Sequence, residues 1–104
     1  MTTTVRSSPI TTRDYSLTVG TTAVTAFTPA QLPGGIVQMM RIYNVSPTAT
    51  VWCSRAGVAA ANAAGSFPIG PLNYELWVAP GPVPQNTLSI VATAPSTPVT
   101  IEVG

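Results

Sequence analysis

The sequence predicts an all-β protein: a single, jelly-roll-like β-sandwich of six to eight antiparallel strands preceded by an extended N-terminal arm. Three observations predict it. Thr and Val are abundant, and apolar residues alternate with polar ones in several segments. Eleven prolines and eight glycines punctuate the chain, leaving turn signals roughly every 8 to 12 residues, the spacing of sandwiches and small barrels. No segment carries an apolar period of 3.6 residues between helix caps. With 104 residues, 45% of them hydrophobic, the chain is long enough for one core.

Residues 1–13, MTTTVRSSPITTR, are polar and broken by a proline. A frayed terminus is the plain reading. A segment with no core of its own is ordered only where something ties it down, and the expected form is an arm lying across a neighbouring subunit. Arg6 and Arg13 are its contact candidates. The sandwich is then expected over 14–104. DYSLTV (14–19) and TAVTAF (22–27) read as short strands joined at Gly20. IVQMMRIYNV (36–45) is apolar on both faces, which suits a strand in the middle of a sandwich. NVSP (44–47) supplies turn chemistry, and TATVWCSR (48–55) follows as the next strand. Asn44 and Ser46 also match the N-glycosylation acceptor pattern, but nothing suggests secretion, so Asn44 is read as a turn residue.

The alanine-rich stretch AGVAAANAAGSFPIGP (56–71) is interrupted by Gly57, Asn62 and Gly65 and stopped by Pro68, Gly70 and Pro71. Residues 59–64 are too few for an independent helix. They are expected to cross from one sheet edge to the other, with small side chains because a close neighbour leaves no room for larger ones. That neighbour is the same chain or another subunit. A subunit contact is favoured, with Ala59, Ala60, Ala61 and Asn62 as candidates. LNYELWV (72–78) is a further strand, bounded by Gly70, Pro71 and PGPVP (80–84). Leu88, Ile90 and Ala92 then alternate with Ser89 and Thr93, and Val99, Ile101 and Val103 alternate with Thr100 and Glu102. The turn APSTP (94–98) between them predicts a C-terminal hairpin.

Charged residues make up 7% of the chain and the net charge is +1, against about 25% charged in an average soluble protein. A surface of Thr, Ser, Asn, Gln and small apolar groups suits contact with other protein. Four arginines, with no lysine or histidine, form no basic patch, so nucleic-acid binding is not expected. No apolar run approaches the roughly 18 to 20 residues that span a bilayer, and the N-terminus has no apolar stretch of a secretory signal.

Chemistry is sparse. One cysteine and no histidine leave the usual zinc sites and Cys–His nucleophiles without ligands, and Cys53 is expected as a buried, inert thiol. Asp14, Glu75 and Glu102 are the only carboxylates. Glu75 and Glu102 are the pair an enzymatic reading would need. No phosphate-cradling glycine motif is present, and neither a cofactor nor a metal is expected. Trp52, Phe67, Tyr74 and Trp77 are read first as core. Trp52, Tyr74, Glu75 and Trp77 form the alternative, a sugar-stacking face.

From residue 21 onward the arrangement is more specific than composition. A long strand closes with RIYNVSP, the next ends VWCSR, and an alanine- and glycine-rich loop leads to SFPIGPLNYELW and a final TLSIVAT and PVTIEV. Over roughly 21–103 this resembles a small β-domain of virion proteins of tailed bacteriophages, found as stand-alone head or tail proteins and within fibres. Asn44 and Ser46 match its turn, and Trp52 the aromatic of the returning strand. Ala56, Gly57 and the alanines to Ala64 match its loop, and Tyr74 and Glu75 the return segment. The chain departs from the pattern at Val58 and at Gly34 and Gly35. The resemblance implies a non-enzymatic virion protein made in the cytoplasm of a bacterial host. The leading expectation is a decoration or cement protein on the capsid surface, with the major capsid protein or other virion subunits as partners. A homo-oligomer is expected, and a trimer fits capsid three-fold positions. A tail, fibre or spike-base component is the alternative within the class, and a carbohydrate-binding module the alternative outside it.

Overall fold

The computed structural model describes residues 12–104. In chain order the strands are β1 (Arg13–Asp14), β2 (Leu17–Val19), β3 (Val24–Phe27), β4 (Met39–Asn44), β5 (Val51–Ser54), β6 (Phe67–Ile69), β7 (Tyr74–Val78), β8 (Leu88–Ala92) and β9 (Thr97–Val103). One antiparallel sheet runs β1-β9-β4-β7, with β2 beside β9. The other runs β3-β8-β5-β6. The all-β sandwich expected from the alternation is therefore what forms. Its core joins Val19, Met40, Ile42, Val99, Ile101 and Val103 of the first sheet to Phe27, Val51, Cys53, Ile69, Leu88, Ile90 and Ala92 of the second.

The pairing follows a simple rule. β2 lies against β9, β3 against β8, β4 against β7 and β5 against β6. The chain is one long hairpin with its tip between β5 and β6. That hairpin is folded over so that β4 also meets β9 and β5 also meets β8. Eight strands in this arrangement form a jelly roll. From β2 onward, every connection except the tip passes from one sheet to the other.

This topology corrects two expectations. Residues 88–93 and 99–103 do not form a hairpin: β8 belongs to the second sheet and β9 to the first. The turn between them, with Ser96 at φ 56, carries the chain over the rim. Period-two alternation locates a strand and its buried face, but carries no information about its partner. Likewise, 59–64 do not cross between sheet edges, because they lie in the hairpin tip joining β5 to β6. The crossing is made further on, by 70–73 between β6 and β7.

Three further details shape the sheets. The stretch 14–19 divides into β1 and β2 because Asp14 Oδ1 accepts the Ser16 N–H at 2.8 Å and Tyr15 turns inward, 4.9 Å from the ring of Phe27. β6 was not foreseen, since Pro68 reads as a breaker. It is an edge strand, where an absent N–H leaves no ladder bond unmade. β4 lies between β9 and β7, as its apolar character on both faces predicts.

Most of the arm expected over 1–13, Arg6 included, lies outside the described residues. Its last residue, Arg13, is already in the first sheet, opposite Val103.

Candidate interaction surface

The edge strand β7 is the least covered strand of the first sheet, with four of its five residues exposed. Its register against β4 sets Trp77 opposite Met40 and Glu75 opposite Ile42, both fully buried partners. Trp77 and Glu75 therefore face the interior side of the sandwich. Tyr74, Leu76 and Val78 take the outer side, where they are 59%, 47% and 49% exposed.

Backbone parity adds a second property to the same three residues. The Asn44 N–H donates to the Asn73 carbonyl, and the Ala79 N–H donates to the Gln38 carbonyl. Ladder bonds to β4 thus fall on the odd residues of β7. In an antiparallel ladder the intervening residues direct N–H and C=O away from that partner, so Tyr74, Leu76 and Val78 direct theirs past the sheet edge. Among the described residues no strand lies on that side. The result is an open hydrogen-bonding edge whose outward residues are all apolar or aromatic. On β4, Tyr43 lies opposite Tyr74 and Met39 opposite Val78, both half-buried. Arg41, opposite Leu76, forms an ion pair with Glu102 of β9, so the nearest cation on this face is neutralised.

The four residues of the sugar-stacking alternative are not brought together. Tyr74 is on the outer face of the first sheet, with Glu75 and Trp77 on the opposite side of the same strand. Trp52 lies on the outer face of the second sheet, between Pro68 and Val91. Trp77 meets Phe67 edge-to-face with ring centroids 6.0 Å apart, and the Arg55 guanidinium lies 5.5 Å from the Trp77 ring. Trp77 bridges the sheets, and with Phe67 it packs on the core as expected. Trp52 and Tyr74, also expected in the core, lie on outer faces because their strand neighbours take the inward positions. Alternation alone separates Tyr74 from its neighbours at 75 and 77, and this much was readable in the sequence.

Glu75 and Glu102, the pair an enzymatic reading requires, also fall on opposite faces, since Glu102 is opposite the outward Arg41. Among the described residues no group of three or more His, Cys, Asp or Glu is placed to hold a metal ion.

The alanine-rich tip divides in two. Ala59 is 3% exposed and its N–H donates to Ser89 Oγ at 2.9 Å. Ser89 points to the outer side of β8, so the tip folds back over its own sheet. The close neighbour of Ala59 is therefore the same chain, which removes Ala59 from the subunit-contact candidates. Ala60, Ala61 and Asn62 remain exposed. Asn62 adopts φ 56, a left-handed conformation that asparagine tolerates well, and Ser66 Oγ accepts the Ala60 N–H.

Arg55 is the residue that sequence reasoning missed. Its Nη2 donates to the Pro84 and Asn86 carbonyls, each at 2.9 Å, and its Nη1 to Met40 Sδ at 2.7 Å. Its Nε is buried without a partner. Burial lowers its pKa from the ordinary arginine value. This side chain ties the proline-rich connection after β7 to the end of β5. An arginine at a strand end gives no sequence signal of such a contact.

Cys53 is fully buried and free, and burial pushes its thiol up to about 12. No helix among the described residues is long and apolar enough to cross a membrane. Compared with protein-family models, curated proteins and solved structures, the chain matches none.

Proposed function

We propose that this protein is a non-enzymatic structural component of a tailed-bacteriophage particle, and within that class a decoration subunit that cements the capsid surface. The observation that carries the reading is the exposed edge strand β7, whose outward residues Tyr74, Leu76 and Val78 carry no charge and present apolar or aromatic side chains and open backbone together. Exposed apolar patches mark surfaces that meet other protein. Two features support it further: a jelly-roll arrangement, which recurs among viral capsid and lectin domains, and the resemblance of 21–103 to phage virion domains. Fold alone does not carry function, so the weight rests on the surface.

The mechanism is mass action. A subunit that binds only the assembled shell stabilises that shell by its binding free energy, about 2.7 kcal/mol per site at a hundredfold excess over Kd. With seven charged residues in the chain, such contacts desolvate few charges.

Copy number in purified particles tests the reading. Hundreds of copies per particle, measured against the major capsid protein by quantitative mass spectrometry, are expected for a decoration subunit. A dozen or so moves the protein to the tail, fibre or spike base, and absence from particles overturns the virion reading.

A further inference from the structure

Among the described residues the sandwich has four sheet edges, and three carry devices that discourage strand addition. β6 has Pro68 at its centre. β3 shifts register between Thr25 and Phe27. The edge beyond β9 is divided into β1 and β2, of two and three residues. Short strands, prolines and irregular register are the means by which natural sheets blunt an edge. β7 has none of them. It is five residues long, pairs with β4 without a shift and has no proline, lysine or arginine. Its one charge, Glu75, belongs to the residues that bond to β4 and not to the outward set.

We propose that β7 is a self-association edge, pairing antiparallel with β7 of a second copy of this chain about a two-fold axis through Leu76. The occupant follows from the sequence of the edge. An axis at Leu76 sets Leu76 against the partner subunit's Leu76, and Tyr74 against the partner's Val78. These are the residues whose N–H and C=O groups point outward, so each pairing comes with ladder bonds. Aromatic against β-branched is a favoured cross-strand pair, whereas like charges set opposite destabilise. The same register places Glu75 beside the partner's Trp77 and keeps the two glutamates apart. Pro71 and Pro80 bracket the strand and, lacking N–H donors, confine the ladder to this window. Net charge of +1 per chain sets little repulsion between copies, and the nearest cation, Arg41, is already paired with Glu102. A two-fold contact is isologous and closes on itself, so the open backbone edge is used up in a dimer. The outward side chains of both copies then lie on one continuous outer face that stays available to a further partner. The pairing goes beyond the virion reading and does not rest on it, because the free protein suffices to form it.

The test uses the full chain. Sedimentation equilibrium is expected to show a reversible even-numbered oligomer. Leu76→Lys places two ammonium groups at the axis and is expected to weaken association about tenfold or more, the equivalent of about 1.4 kcal/mol. Leu76→Thr, which keeps a strand-forming residue, serves if the lysine variant fails to fold. Leu76→Cys is expected to cross-link on mild oxidation. Directly opposite residues in a hydrogen-bonded antiparallel pair have Cα atoms about 5.5 Å apart, within disulfide reach. Val78→Cys is expected not to cross-link, since its opposite residue is Tyr74, and the buried Cys53 does not compete. In native protein the amides of Tyr74, Leu76 and Val78 are expected to gain hydrogen-exchange protection as concentration rises. A monomer at all concentrations, a trimer, cross-linking through Val78→Cys instead of Leu76→Cys, or free exchange of those three amides in the oligomer would each overturn the pairing.

Discussion

Asn44 and Cys53 are both fully buried, and each does a task set by chemistry rather than by size. Asn44 Nδ2 donates to the carbonyls of Ala49 at 2.8 Å, Ile69 at 3.0 Å and Gly70 at 3.2 Å, while Oδ1 accepts the Ser46 N–H. Ser46 Oγ then accepts the N–H groups of Thr48 and Ala49. The Asn-x-Ser sequence is thus a buried turn that joins the end of β4 in one sheet to the end of β6 in the other. Asn44→Ala leaves several backbone groups dry and unpaired. The expected loss is about 3 to 5 kcal/mol, at roughly 1 to 3 kcal/mol per orphaned group, and chemical denaturation measures it. A loss below about 1 kcal/mol would show that water replaces the amide.

Cys53 makes a pH prediction. Burial holds its folded pKa at about 12, above the ordinary value of 9.0. The folded state therefore favours the neutral thiol, and this contribution is complete below about pH 9. It is lost as pH rises toward 12, by up to about 4 kcal/mol at the top of that window. The stability difference between wild type and Cys53→Ala is expected to narrow over that range, since the substitution removes the thiol and leaves every other ionisable group in place. Melting curves collected from pH 7 to 12 check it.

At the scale of elements, two aromatic pairs close the sides of the sandwich. Tyr15 meets Phe27 where β2 and β3 lie across from each other, and Phe67 meets Trp77 where β6 faces β7. The second latch extends through Arg55 to the carbonyls of Pro84 and Asn86. Gln85 works beside it: its side-chain amide donates to the Val37 carbonyl and accepts the Val37 N–H, each at 2.8 Å, as a strand neighbour would. The proline-rich connection after β7 is thereby fastened by side chains instead of by a ladder. Trp77→Ala removes a ring from this seam and the cation–π contact with it. The expected cost is about 2 to 4 kcal/mol, read by urea denaturation. Retained stability with lost glycan binding would return Trp77 to the sugar-stacking reading.

For the whole molecule, the buried core cluster of the described residues runs from Val19 to Val103 and joins both sheets. On the reading of 1–11 as part of an inter-subunit arm, their removal is expected to shift the melting temperature by less than about 5 °C, the equivalent of roughly 1 kcal/mol in a domain of this size. If those residues form the inter-subunit arm, the same truncation lowers occupancy on purified particles without unfolding the domain. A collapse of the melting temperature would show instead that the segment is part of the fold.

Alternation at 88–93 and 99–103, the apolar character of 36–45, and prolines and glycines at regular intervals were enough to determine a β-sandwich and to locate most of its strands. Those signals are local: side-chain period follows from the pleat, and turn residues from their own dihedral preferences. The separation of Tyr74 from Glu75 and Trp77 was legible for the same reason. Partners were not. Pairing β8 with β3 and β5, placing β6 at an edge despite Pro68, seating Ala59 on Ser89 and directing Arg55 to Pro84 and Asn86 all join residues distant in the chain. Such contacts are set by how two sheets bury one core together. Which edge remained open was decided last and only in three dimensions, because an edge is defined by the strand that is not beside it.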